Sequence, residues 1–157
     1  MNKLLISEIL KKAHNAKTKQ AKVKILKENE TPALKKLLIW NFDTKVRSAL
    51  PEGEVPYAKN EAPIGTEHTR LEQQDRLFYN FIYGGNNDLS QTKKEVMFIQ
   101  MLEGLHESEA EVLCLVKDKK LGKKFRITKN VVAEAFPSIN WGVPRSPGQW
   151  EYLVRTW

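Results

Sequence analysis

Two short stretches of the chain combine lysines, a hydroxyl and a helix start, which together could grip phosphate. The first is Lys17-Thr18-Lys19-Gln20-Ala21-Lys22, and the second runs from Lys117 through Gly122 to Asn130. Each leads from a turn into the first turn of a helix, where unpaired backbone N–H groups and the positive end of the macrodipole favour an anion. Lysines crowded around such a start add long-range attraction. The hydroxyl of Thr18 or Thr128 either caps its own helix or donates to a phosphate. The candidate phosphate-binding residues are Lys17, Thr18, Lys19 and Lys22 in the first stretch. In the second they are Lys119, Lys120, Lys123 and Lys124, followed by Arg126, Thr128, Lys129 and Asn130. The plainer reading is two ordinary N-caps beside solubilising lysines.

The charge distribution sharpens this picture. The net charge is +7, yet residues 1–27 alone carry +7 and residues 117–129 carry +6, leaving −6 on the rest of the chain. Positive charge confined to two blocks suits a polyanion, and equally suits two solvated faces. Lysine-dominated patches hold a backbone rather than read bases, and no helix rich in Arg, Asn and Gln offers base-edge contacts. A polyanion held through its backbone phosphates is the expected partner.

Other chemistry finds little footing. His14, His68, His106 and Cys114 form no pattern of close Cys or His pairs, so no metal site is expected. His106-Glu107 resembles the start of a zincin motif, but Ala110 stands where the second histidine would be. No phosphate loop or dinucleotide fingerprint is present, and Gly84-Gly85 reads as a helix terminator. With no nucleophile, base and orienter grouped together, neither an enzyme nor a cofactor is expected.

The elements that must carry these residues are helical. Leu4, Leu5, Ile9, Leu10 and Ala13 follow helical spacing. Thr18 caps a second helix with Val23, Ile25 and Leu26. Thr31-Pro32 opens a third, which turns Leu34, Leu37, Leu38 and Trp40 inward, and Asp43 caps one more short turn to Leu50. Residues 51–65 hold three prolines and two glycines and read as a long loop. Thr66 or Thr69 starts a helix with Leu71, Leu77, Phe78, Phe81 and Ile82. Two capping boxes follow, Thr92 to Glu95 and Ser108 to Glu111. Gly122 breaks the second of these helices, and Thr128 caps a last short one from Lys129 to Phe136. Trp40, Phe78 and Phe81 are expected in the core, and Cys114 is expected buried and inert. No sustained alternation suggests a strand, so the fold class is all-α: one helical domain over residues 1–137 and an irregular extension over 138–157.

The chain is long enough for a single core. A lone cysteine permits no internal disulfide and points to a reducing compartment. No apolar run reaches the length of a membrane span, and Met1 to Ile6 is too short for a secretory signal, so a cytoplasmic location is expected.

The two basic segments and their flanks resemble the N-terminal DNA-binding domain of the ATP-dependent DNA ligases of T4-type phages. At one end the resemblance runs through Ile6 to Leu10, Ala16 to Lys22 and Val23 to Asn29, with a third helix near Thr31. At the other it runs through Glu111 to Lys119, Gly122, and Ile127 to Pro137. It covers both ends of roughly residues 6–137, with the middle only loosely matched. It implies an all-helical domain lying against a duplex minor groove, with Thr18, Lys19, Lys22, Lys123, Lys124, Thr128, Lys129 and Asn130 gripping phosphates, and a preference for nicked or gapped DNA. The ligase K-x-D-G motif is absent, so no catalysis is implied. The whole chain also resembles small proteins of marine T4-like phages, which supplies no function.

A different class of function rests on the C-terminal segment. Trp150, Tyr152, Leu153 and Trp157 could anchor in a groove of a replication or virion protein, making the chain an adaptor or regulator. The plainer reading is that this segment packs on its own domain.

Overall fold

The computed structural model describes residues 4–59, 68–86, 88–139 and 141. Seven α-helices form among them: α1 (Ile6–Asn15), α2 (Lys19–Glu28), α3 (Pro32–Phe42), α4 (Gln91–Gly104), α5 (Glu107–Lys117), α6 (Leu121–Lys124) and α7 (Lys129–Ala135). A 3₁₀ helix, Leu71–Phe81, lies between α3 and α4. No strand forms among the described residues; Ser48 pairs with Ile82 and Thr69 with Leu105 in isolated bridges. The all-α expectation therefore holds.

Local capping sets the early helix starts as the sequence suggests. Thr18 Oγ1 accepts from the Ala21 N–H (3.1 Å), and Thr31 Oγ1 accepts from the Leu34 N–H (3.1 Å), with Pro32 at the first helical position. Thr128 Oγ1 does the same for Val131 at 3.4 Å. α3 becomes the central helix: every residue from Ala33 to Asn41 is buried, so Leu34, Leu37, Leu38 and Trp40 are joined by Lys35 and Lys36.

The 3₁₀ helix corrects an expected α-helix, and its period explains why. Three residues of 3₁₀ helix rise about as far as four residues of α-helix. Asp75, Phe78 and Phe81 thus present one face to Lys36 and Trp40 of α3. Lys36 Nζ lies 3.2 Å from Asp75 Oδ2, and the rings of Phe78 and Phe81 lie 6.2 and 6.3 Å from that of Trp40. Gly84 follows at φ 80°, and a Cβ on Gly85 would meet the Tyr79 carbonyl oxygen, so this glycine pair ends the segment.

Other boundaries move for tertiary reasons. Asp43 opens only a turn, its Oδ1 accepting from the Lys45 N–H (2.9 Å), because the chain then pairs with Phe81 and Tyr83. Ser90, not Thr92, caps α4; the earlier start lets Gln91 Nε2 donate to the Ala49 carbonyl (2.9 Å). His106, not Ser108, caps α5: its Nδ1 accepts from the Ser108 N–H (3.1 Å), while Ser108 Oγ faces Ser7 Oγ at 2.9 Å. The break after α5 falls at Lys119, the one described residue other than glycine in the left-handed region (φ 57°), and Gly122 sits inside α6. The core also runs past Pro137, since Ile139 is buried and Trp141 packs against it.

The start of α5 also turns Glu109 inward, where it is 1 % exposed. Its Oε2 accepts the Ile6 N–H and its Oε1 the Leu71 N–H, both at 3.0 Å. One carboxylate thus holds the first N–H of α1 and the first N–H of the 3₁₀ helix. Burial pushes the Glu109 carboxyl above its ordinary value of 4.5, against the opposing pull of the two N–H groups and of Arg70. Glu109→Gln leaves one buried N–H facing an amide NH₂ and is expected to lower the unfolding free energy by about 1–3 kcal/mol. Because the folded chain binds this proton more tightly, the stabilisation from Glu109 is full below pH 4.5 and declines as pH rises through the folded-state value. Urea denaturation of both chains across this range checks the sign: the gap between them should narrow with rising pH, and a widening gap would contradict it.

Candidate nucleic-acid interface

The structure sorts the twelve basic-segment residues into those that hold the fold and those that face outward. Lys22 belongs to the first group. Its Nζ donates to the carbonyls of Ala13 (2.8 Å) and His14 (3.3 Å), the end of α1. Burial and the nearby Arg126 guanidinium lower its pKa from the ordinary lysine value. Lys119 does the same for α3, donating to the carbonyls of Trp40 (2.8 Å) and Asp43 (2.7 Å). A cation at a helix C-terminus satisfies carbonyls that have no partner within the helix and complements the dipole. These two expected phosphate ligands therefore hold helix ends instead. Lys117, beside them, is buried with its Nζ on the carbonyls of Pro51 (2.7 Å) and Gly53 (3.1 Å) and on Asp118, pinning the loop that begins at residue 51.

Three further lysines are paired at the surface: Lys19 with Glu134 (2.9 Å), Lys120 with Glu52 (3.6 Å), and Lys124 with Glu111. Such half-exposed pairs contribute about 0–1 kcal/mol and exchange readily for another anion. Lys17, Lys123 and Arg126 are exposed and make no ion pair among the described residues. Asn130 is exposed, and Lys129 lies over the ring of Trp141 at 5.1 Å. Thr18 and Thr128 cap their own helices and are exposed; a hydroxyl that accepts in a cap still has its proton to donate.

The two basic blocks meet, though not through their helix starts. Lys19, at the start of α2, pairs with Glu134 near the end of α7, so the starts stand apart by roughly the length of α7, about 10 Å. The strand of chain between α6 and α7 joins them. It crosses the end of α1, where the Arg126 N–H donates to His14 Nδ1 (3.0 Å) and the His14 ring meets Phe125 edge-on at 6.2 Å. Arg126 thereby comes close enough to Lys22 to disfavour its charge. Residues more than a hundred positions apart are brought onto one cationic surface built from α1, α2 and the 125–130 segment.

Beside this surface, between α1 and α5, lies an open cleft of about 910 Å³. Lys11, Lys12, Lys59 and Lys124 stand along it, with Phe125 and Tyr57 in its lining. Lys11 and Lys12 belong to the first block, yet nothing local in the sequence signals that they face Lys124. Cys114 also lines the cleft; it is half-buried, and desolvation pushes its thiol up to about 11, so it is a neutral, unreactive part of the wall. Among the described residues no group of three or more His, Cys, Asp and Glu could hold a metal ion, and no helix is long and apolar enough to cross a membrane. Trp150, Tyr152, Leu153 and Trp157 lie outside the described residues.

Residues 9–123 match the model of a family described as a family of unknown function (DUF6433), and the chain belongs to that family. The match takes in Lys17 to Lys22, α1 from Ile9 onward and the whole of α5, and ends at Lys123. No curated protein and no solved structure matches the chain.

The division of lysines is open to measurement. Lys119→Ala removes a charged donor from two carbonyls and is expected to cost about 2–4 kcal/mol of stability. Lys123→Ala should stay within about 0.5 kcal/mol of the parent chain. Chemical denaturation of the two variants checks this, and equal stabilities would contradict the assignment.

Proposed function

We propose that this member of the family is a non-catalytic protein that holds double-stranded DNA through its phosphates, largely without regard to sequence. The observation that carries the reading is the meeting of the two basic blocks. Lys22 and Arg126 come together although their charges repel, and Lys17, Lys19, Lys123 and Lys129 are exposed on the elements around them. A fold that gathers like charge on one surface is relieved when a polyanion supplies the counter-charge.

The composition of this surface favours positioning over base readout. Lysine is a point charge on a flexible stem, and the surface offers one exposed Arg126 and one exposed Asn130 rather than a row of bidentate groups. The resemblance to ligase DNA-binding domains supports the same partner. It extends the proposal to contact with the minor groove, a preference for nicked or gapped duplex, and a role in phage replication, repair or packaging. The reading requires no cofactor.

A fluorescence titration against intact, nicked and single-stranded DNA at three salt concentrations tests the proposal. If Lys17, Lys19, Lys123, Arg126 and Lys129 each neutralise one phosphate, log affinity should fall with log salt at a slope of about −4.5. Replacing Lys123, Arg126 and Lys129 with Ala should flatten that slope by about 2.7. No binding at low salt, or a slope near zero, would overturn the proposal.

A further inference from the structure

The cleft between α1 and α5 adjoins the cationic surface through α1 and Phe125, which belong to both. Its lining differs in kind from that surface. Leu4, Cys114, Tyr57 and Phe125 give it an apolar and aromatic wall, and the Ser7 and Ser108 hydroxyls, 2.9 Å apart, offer donors and acceptors inside it. Its charges are unequal once internal partners are counted. Glu8 accepts the Leu5 N–H (2.8 Å), Glu111 pairs with Lys124 and Glu107 stands exposed in the first turn of α5, while Lys11, Lys12 and Lys59 are exposed and make no ion pair among the described residues, so the four lysines of the lining outnumber its three carboxylates by one. A flat apolar group bearing negative charge matches this combination, and a nucleotide is such a group. The volume lies within the range of pockets that enclose one small ligand.

We infer that the cleft receives a single unpaired nucleotide of the DNA held on the adjoining surface, its base against Tyr57 and Phe125 and its phosphate beside Lys11, Lys12 and Lys59. The inference rests on the duplex-binding reading and deepens it by naming the site: the cleft would give a surface that holds any phosphate backbone its preference for gaps, nicks or strand ends. Stacking on an aromatic ring is tolerant of sequence, so the preference would follow DNA structure rather than base identity.

Fluorescence anisotropy on a blunt duplex and on the same duplex with a three-nucleotide single-stranded overhang tests it. The parent chain should bind the overhang duplex about ten-fold more tightly. Tyr57→Ala, and separately Lys59→Ala, should remove most of that advantage and leave blunt-duplex affinity within about two-fold, since neither residue lies in the two basic blocks. Equal binding of the two duplexes by the parent chain would overturn the cleft inference and leave duplex binding standing. An undiminished advantage in both variants would also overturn it. Failure to bind either duplex would overturn both readings.

Discussion

A buried carboxylate with two N–H groups on it fixes how the helices of this protein meet. Glu109 sits in the first turn of α5, where the helix dipole favours negative charge. Its two oxygens then reach outside α5 to the first N–H of α1 and the first N–H of the 3₁₀ helix. Removing a carboxylate from water is costly unless its hydrogen-bonding capacity is met. The geometry that meets it here requires three helix starts to converge at one point. Arg70 adds to the same junction, its Nη2 donating to the Leu4 carbonyl (3.0 Å). The direction in which α1 leaves this junction decides where Lys11, Lys12 and His14 arrive, and therefore where the 125–130 segment can cross.

The opposite ends of the helices are held by lysines. α1 ends on Lys22 and α3 on Lys119, each ammonium satisfying two carbonyls. The basic blocks thus contain two populations that composition cannot separate. One is turned inward and completes helix ends; the other remains in water and generates the field. Lys119 reaches its carbonyls from a left-handed backbone, a conformation that costs a residue with a side chain something like 1–2 kcal/mol. The turn is kept because the two hydrogen bonds from a charged donor outweigh that cost.

This division explains what sequence reading could reach. Thr18, Thr31 with Pro32, and Thr128 were legible as helix starts because a cap is decided within three residues of itself. Ser90 and His106 prevail over Thr92 and Ser108 because distant partners, Ala49 for one and Ser7, Ile6 and Leu71 for the other, reward an earlier start. The 3₁₀ helix escaped for a similar reason: apolar spacing from Leu71 to Ile82 fits several periods, and only the match to Lys36 and Trp40 selects one. At the candidate interface, residue type identified the basic segments. Which lysine faces water depends on carbonyls and carboxylates tens of residues away, and the adjacency of Lys11 to Lys124 exists only once α1 and α5 are packed.

The surface and the cleft would act on a bound strand by different physics. Exposed lysines attract phosphate over about a Debye length, roughly 8–10 Å at ordinary salt, and that attraction fades as salt rises. An aromatic wall such as Tyr57 and Phe125 acts only at contact, through stacking that salt barely screens. A chain that relied on the first alone would hold every duplex equally, and one that relied on the second alone would bind too weakly to find its site. Placed side by side and sharing Phe125, they would divide the work by distance: on the proposed reading the field would collect DNA without discrimination, and the cleft would discriminate among DNA structures already collected. It follows that selectivity for unpaired nucleotides should persist at salt concentrations where overall affinity has fallen.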